Sequence, residues 1–320
     1  MRFFVLISRL GTRFIAGAVL IGLLFPTAAA VIRPWLGGFV ICMFTVSLLR
    51  VDFDAFTHRL RSPVWPCAAA VWIVLILPAA ILSIAAAIGP PFGSSAVLAI
   101  LFLYSGPATI VSAPAFAMLM GLDGALVLAV LLITTVLMPL TAPWLTAMFV
   151  ADVLPLGALE LSLRLAGMIG LSFLAVALLR RTLGRERIAA AKPVLDTLMV
   201  VIAILFAVGA MDGVTARFLE TPLFVTAVTA GSFAFGLAQM ALTYALFRPF
   251  VGVDAVAIAY SSGSRNAGLL MAALGVTAVN DTIWLFFALS QLPLFFFPLL
   301  LKPLGRRLTQ AHRSPAGEAA

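Results

Sequence analysis

Apolar stretches of about 20 residues follow one another along this chain, and they limit what it can fold into. A helix of that length crosses the hydrocarbon core of a bilayer and satisfies its own backbone hydrogen bonds there. Only 10% of the residues are charged, against about 25% in soluble proteins. We predict an all-α integral membrane protein, a single bundle of ten spans near residues 14–32, 35–51, 65–88, 94–120, 124–150, 161–180, 195–212, 222–247, 252–276 and 282–301.

The basic residues are distributed unevenly between the two ends of these spans. With the N-terminus in the cytoplasm, 16 of the 20 Lys and Arg fall on the cytoplasmic side, Arg33, Arg164 and Arg217 fall outside, and Arg265 lies within a span. Cytoplasmic loops are enriched in Lys and Arg. We therefore predict a plasma (inner) membrane protein with both termini in the cytoplasm and a cytoplasmic tail at residues 302–320. The net charge of +8 indicates this orientation in a lipid bilayer and not a nucleic-acid partner.

The first 30 residues allow a second interpretation. Arg2, Arg9 and Arg13 precede an apolar run that ends at Thr27-Ala28-Ala29-Ala30, which also resembles a cleavable secretory signal. Cleavage would leave nine spans and would break the symmetry described next. The intact mass of the purified protein distinguishes the two interpretations.

The fourth and ninth predicted spans contain residues that interrupt a helix near mid-membrane. Gly106, Pro107 and Pro114 lie in the fourth, and the polar run 261–266 with Gly263 lies in the ninth. Proline removes a backbone donor, and non-helical backbone at this depth is tolerated only inside protein or along a cavity. Because the two spans are five apart, we predict two inverted five-helix repeats whose broken helices 4 and 9 cross. Paired interruptions of this kind indicate a transporter binding site.

Arg265 lies about 13 residues from either end of the ninth span. A cation at the bilayer centre costs at least about 2.5–3.5 kcal/mol on insertion scales. All twelve acidic residues fall at loops or span ends, so the sequence supplies no evident carboxylate partner. Two partners remain open: an anionic substrate that the guanidinium grips, or the carbonyl ends of the broken helices.

Two segments resemble a known family. Residues 107–113 read Pro-Ala-Thr-Ile-Val-Ser-Ala and residues 262–269 read Ser-Gly-Ser-Arg-Asn-Ala-Gly-Leu, in the fourth and ninth spans. Pro139 and Pro143 in the fifth span and Asp254 ahead of the ninth complete the pattern. This layout resembles the bile acid:sodium symporter family over nearly the whole chain.

The resemblance implies how the bundle is organised. A core domain, approximately residues 65–150 and 222–301, would move against a panel domain, approximately residues 14–51 and 161–212. The substrate would lie between the two domains, beside the helix crossing.

The resemblance also implies two sodium ions at the crossing, but the residues at their ligand positions differ. Where the family has a Ser-Asn pair, this chain has Ser112-Ala113. Where the family has Glu and Gln, this chain has Ser261 and Arg265. The hydroxyl positions of the fifth helix fall near Val127 and Leu131, which cannot coordinate. Sodium prefers several oxygen ligands and is repelled by a guanidinium. The replacements argue against sodium coupling, and we expect no cofactor and no metal site.

These observations predict a secondary transporter that moves a small organic anion by alternating access. Its coupling is sodium-independent in this interpretation: uniport, exchange or proton-linked, the last weakened by the absence of an acid at depth. The predicted substrate-binding residues are polar and lie at the two interruptions: Arg265, Asn266, Ser261, Ser264, Thr109 and Ser112. Buried glutamines are expected to form hydrogen bonds between helices (Gln239 and Gln291), and intramembrane threonines to bond their own helix (Thr134 and Thr135).

Other functions fit the sequence less well. A sodium symporter with main-chain ligands remains an alternative, and a membrane sensor or channel is an alternative of a different class. An enzyme is not expected, because no metalloprotease, nucleophile-elbow or phosphate-loop motif is present. Cys42 and Cys67 lie within apolar segments and are predicted to be small buried side chains, not a disulfide or zinc site.

Overall fold

The computed structural model describes residues 17–50, 61–154, 156–276 and 278–313, and for residues 304–313 only the backbone. The chain is 84% helical and has no strands in these residues. The all-α prediction is therefore confirmed. The remaining residues, which include the start of the predicted first span and the basic residues Arg2, Arg9 and Arg13, lie outside the described part.

Residues 17–24 are helical and lead into a series of apolar helices. A 3-10 turn (Arg33–Trp35) joins the helices Pro26–Ile32 and Leu36–Leu49, and a π-helical turn (Trp72–Ile76) joins the helices Val64–Val71 and Leu77–Ile88. The helices are α1 (Pro26–Ile32), α2 (Leu36–Leu49), α3 (Val64–Val71), α4 (Leu77–Ile88), α5 (Ser95–Ser105), α6 (Ala113–Leu119), α7 (Gly124–Phe149), α8 (Ala158–Ala190), α9 (Lys192–Ala210), α10 (Val214–Glu220), α11 (Pro222–Val251), α12 (Asp254–Gly263), α13 (Ala267–Leu274) and α14 (Asp281–Arg313).

Seven stretches among the described residues are long and apolar enough to cross a membrane. They are Pro26–Leu49, Val64–Ile88, Gly124–Phe149, Ala158–Ala190, Lys192–Glu220, Pro222–Val251 and Asp281–Pro303. Their length and composition indicate a membrane protein. The predicted fourth and ninth spans are not among them, because each is divided into two helices of 7–11 residues.

Several predicted boundaries differ from the observed ones. At Arg33-Pro34 the chain keeps helical dihedral angles through a 3-10 turn, so α1 and α2 form one nearly continuous stretch. α8 extends ten residues past the predicted end at 180, with a non-helical residue at Gly184. The predicted tail from 302 is helical as far as Arg313. In each case the chain continues as helix beyond the residue at which the sequence predicted an end.

The helices divide into inner and outer positions. Three stretches lie mostly inside the bundle: Gly124–Phe149, Lys192–Glu220 and Asp281–Pro303. In each of them about two thirds of the residues in an 18-residue apolar segment are buried, against 28–33% in the other four stretches. The outer helices leave large apolar side chains exposed, such as Leu223 at 87% and Leu219 at 76%. Soluble proteins rarely expose such surfaces over wide areas. Cys42 and Cys67 also lie on this exposed surface, so the prediction that they are buried is wrong.

Candidate functional site

The first interruption lies between α5 and α6. α5 ends at Ser105, the chain leaves the helix over residues 106–112, and α6 begins at Ala113 with Pro114 in its first turn. A Cβ at Gly106 would lie 2.5 Å from the ring of Phe102. Local structure therefore explains both residues. Pro107 offers no N–H to continue the helix, and at position 106 only glycine fits against the ring of Phe102.

The second interruption lies between α12 and α13. α12 ends at Gly263, and α13 begins at Ala267 after the three residues 264–266. The side-chain oxygen of Asn266 accepts a hydrogen bond of 3.1 Å from Leu269 N, so this residue caps α13. Asn266, predicted to bind substrate, is thus used at least in part to start the second half-helix.

The two interruptions pair with each other. Ile110 N donates to Ser264 O at 2.8 Å, and Asn266 N donates to Ala108 O at 2.7 Å. Thr109 and Arg265 face each other in this short antiparallel bridge. Both segments are buried, and buried backbone groups outside a helix need partners. The predicted meeting of the two interruptions is therefore observed, and the pairing satisfies the backbone that each interruption frees.

Thr109 is fixed from two further sides. Its backbone N donates to Thr134 Oγ1 at 3.3 Å, and its hydroxyl donates to Ser261 O at 3.2 Å. Thr134 and Thr135 both donate to Leu131 O in their own helix, as predicted. α7 thereby holds the paired segments in place through Thr134.

Arg265 is 6% exposed, and its guanidinium contacts three neutral oxygens. Nη1 donates to Ile73 O at 2.8 Å and to Pro107 O at 3.1 Å, and Nη2 donates to Gln239 Oε1 at 2.9 Å. Of the two partners left open by the sequence, the carbonyl oxygens are the ones seen here. They come from the first interruption and, unexpectedly, from the helix α3–α4.

The carbonyl of Ile73 is free for this contact because of the π-helical turn. Leu77 N donates to Trp72 O, one residue earlier than in an α-helix. In the same pattern Ile73 O would accept a hydrogen bond from the backbone N–H of residue 78, but residue 78 is a proline and has no N–H. Ile73 O is therefore left without a helical donor and accepts from Arg265.

Gln239 on α11 belongs to the site, although the sequence predicted for it only a hydrogen bond between helices. It accepts from Arg265 and donates through Nε2 to Tyr104 O at 3.2 Å. Ser262 donates to Gln239 O at 3.2 Å. Gln239 was predicted to bond between helices, which is confirmed, but one of its bonds is to the buried arginine.

The remaining predicted residues differ in their surroundings. The hydroxyl of Ser261 donates to Ala257 O of its own helix, and Ser264 is buried within the paired segment. Ser112 lies half-buried just before α6. The structure therefore brings Thr109, Ser261, Ser264, Arg265 and Asn266 together, with Ser112 at the edge of the site.

A small cavity lies beside Arg265. It measures about 30 Å³ and is lined by residues of α5, α11, α14 and the second interruption, among them Tyr104, Ser232, Gln239, Arg265 and Ser290. Sites for drug-sized ligands measure about 300–1,000 Å³. In this conformation the cavity holds a molecule or ion of a few atoms at most.

A second polar network lies away from the interruptions, around Arg33. Its guanidinium pairs with Asp212 Oδ2 at 3.1 Å, donates to Val276 O at 3.1 Å and stacks 3.9 Å from the centre of the Trp284 ring. Trp284 Nε1 donates to Asp212 O at 2.8 Å. The network ties α1–α2 and the end of α9 to α14 and to Val276, two residues after the end of α13.

We expect Arg33→Ala to lower the free energy of unfolding by about 1–3 kcal/mol, because a half-buried ion pair and a cation–π contact are lost together. Arg217→Ala is the matched control. Arg217 pairs with Glu220 in its own helix, and both are about half exposed, where such pairs contribute about 0–1 kcal/mol. Thermal unfolding of the two purified variants measures the difference, and equal losses would contradict the prediction.

The fold and the site together define an α-helical membrane protein in which two interrupted helices pair around a buried arginine. No protein-family model matches the sequence, and no curated protein matches it. Within the described residues there is also no group of three or more His, Cys, Asp or Glu placed to hold a metal ion.

Proposed function

We propose that this protein is a secondary transporter that moves a small organic anion by alternating access, organised as in the bile acid:sodium symporters. The observation that carries the proposal is the antiparallel pairing of two interrupted helices, with Arg265 at the pairing. Paired broken helices at the centre of a bundle are typical of transporter binding sites. Arg265 gives that centre a positive charge, which suits an anion.

Ten crossings with both termini in the cytoplasm follow if each interrupted helix pair crosses the membrane once. The pairs α5–α6 and α12–α13 then add two crossings to the seven long stretches. A tenth crossing requires residues 17–32 to cross separately from α2, whereas here α1 and α2 form the single stretch Pro26–Leu49 that is already among the seven. The interruptions occupy corresponding places in the two halves, which supports the inverted repeat.

This topology is testable by cysteine labelling in a protein without Cys42 and Cys67. Phe92→Cys, between α4 and α5, is expected to react with an impermeant maleimide from outside the cell. Arg185→Cys, near the end of α8, is expected to react only after permeabilisation. Three crossings separate the two positions if α5–α6 spans the membrane, and two if it does not. Labelling of both from the same side would contradict ten crossings.

The proposed domain movement has support in the contacts between the two parts of the bundle. The Arg33 network joins helices of the predicted panel domain to helices of the predicted core domain. Ser47 Oγ on α2 donates to Val111 O in the first interruption at 3.2 Å. These polar contacts lie beside apolar ones, such as that of Phe206 with Phe287, and alternating access requires the contacts between the two domains to break and re-form.

The contacts of Arg265 favour coupling without sodium. Its guanidinium already binds the carbonyls of Ile73 and Pro107, which are the type of ligand that a main-chain sodium site would need. A cation at the same place meets both charge repulsion and occupied oxygens. We therefore propose uniport or exchange, with the sodium symporter as the alternative.

Reconstitution into liposomes tests the proposal. Candidate anions are a bile acid, a keto acid, a pantoate-like acid and a sulfonate, each assayed with sodium and with potassium. A transported anion is expected to enter faster when the liposomes are preloaded with the same anion, because a carrier returns more quickly when it is loaded. A flux without this stimulation would indicate a channel, and uptake that requires sodium would favour the symporter alternative.

A further inference from the structure

Arg265 keeps hydrogen-bonding capacity after its observed contacts. A guanidinium has five N–H donors, and three of them donate to Ile73 O, Pro107 O and Gln239 Oε1. Nε is buried and has no partner. Nε and Nη2 lie on the same side of a guanidinium and together form the fork that grips an anion. One donor at each of these two atoms remains unused.

The charge of Arg265 is also left without a counter-charge. Its three contacts are neutral oxygens, and none of the ion pairs seen between described residues includes it. Carbonyl dipoles stabilise a buried cation only in part, and a buried charge normally has a paired partner of opposite sign. An anion beside Arg265 would supply that partner.

The cavity beside Arg265 has the size and lining for such an anion. A volume of about 30 Å³ exceeds the roughly 10–15 Å³ that one water molecule requires, but it is far too small for an organic substrate. Ser232, Gln239 and Ser290 contribute polar atoms around it. The lining residues come from the five helices α5, α11, α12, α13 and α14 and from the second interruption, so an ion there would also hold those segments together.

We propose that this cavity binds one small inorganic anion, such as chloride, as the counter-ion of Arg265 in the conformation seen here. The inference rests on the contacts of Arg265 and not on transport: the cavity is too small for an organic solute, so the solute anion of the proposed function would contact Arg265 only in another conformation. The anion contacts the guanidinium where it lines the cavity and neutralises its charge. Binding to the folded state alone then stabilises the protein in proportion to the chloride concentration.

Thermal unfolding of the full-length protein in detergent tests the site, with chloride replaced stepwise by gluconate at constant sodium and ionic strength. We expect a saturable rise of about 2–4 °C with chloride, and a similar rise with bromide. Gluconate is too large for the cavity. Equal melting temperatures in chloride and gluconate would overturn the proposal.

Ser232→Val places a methyl group in the cavity and is expected to abolish the chloride-dependent rise. Ser172→Val is the matched control, because Ser172 is equally buried and bonds its own helix as Ser232 does, but it lies on α8 away from the cavity. A rise that persists unchanged in Ser232→Val would show a general salt effect and overturn the site. Loss of the rise with unchanged solute uptake would separate this site from the transport site.

Discussion

Arg265→Met is expected to lower the free energy of unfolding by about 2–4 kcal/mol. The substitution leaves three buried oxygens without a donor, on Ile73, Pro107 and Gln239, and each such loss costs about 1–3 kcal/mol. Against this, removal of a buried cation recovers an insertion cost of about 2.5–3.5 kcal/mol. The lost contacts outweigh that gain, because Ile73 O has no helical donor to return to.

Thermal unfolding of the purified variant measures this loss, with Arg265→Lys as the control that keeps the charge. Lysine presents a point charge and not a planar fork, so it is expected to recover only part of the stability. A double-mutant cycle with Gln239→Leu isolates the contact between the two side chains. If Arg265→Met unfolds at the same or a higher temperature, the arginine does not hold the two interruptions together, and its presence is explained by anion binding alone.

Gly263→Ala is expected to destabilise the protein by about 1–3 kcal/mol through overpacking. α12 ends at Gly263, where a Cβ would lie 2.5 Å from Met240 Cγ and 2.9 Å from Gly236 O on α11. The methionine side chain can move, but the carbonyl of Gly236 belongs to the backbone, so α11 and α12 must separate. That movement also displaces Gln239 from Arg265.

The control for Gly263→Ala is Gly231→Ala in α11. A Cβ at Gly231 meets no atom within 4 Å, so alanine there is expected to leave stability unchanged or raise it by up to about 1 kcal/mol, as in an exposed helix. Thermal unfolding of both variants gives the comparison. A Gly263→Ala protein as stable as Gly231→Ala would contradict the close approach of the two helices.

The sequence predicted the helices and the two interruptions because both depend on local chemistry. The length of an apolar run decides whether a helix can cross a bilayer. Pro107, Pro114 and the polar run 261–266 interrupt helices through the residues themselves. At Arg33-Pro34 the same local reasoning was less accurate, since a proline in the first turn of a helix is also compatible with continuation, and the chain there forms a 3-10 turn.

What the tertiary structure alone decided is which atoms meet at the interruptions. The register that places Thr109 opposite Arg265 depends on two backbone hydrogen bonds across about 150 residues of chain. On α3–α4, Arg265 contacts Ile73 O, which is free only because of a π-helical turn. On α11 it contacts Gln239, a residue within a regular helix. Contacts between distant segments are set by how the helices pack, and no local pattern encodes them.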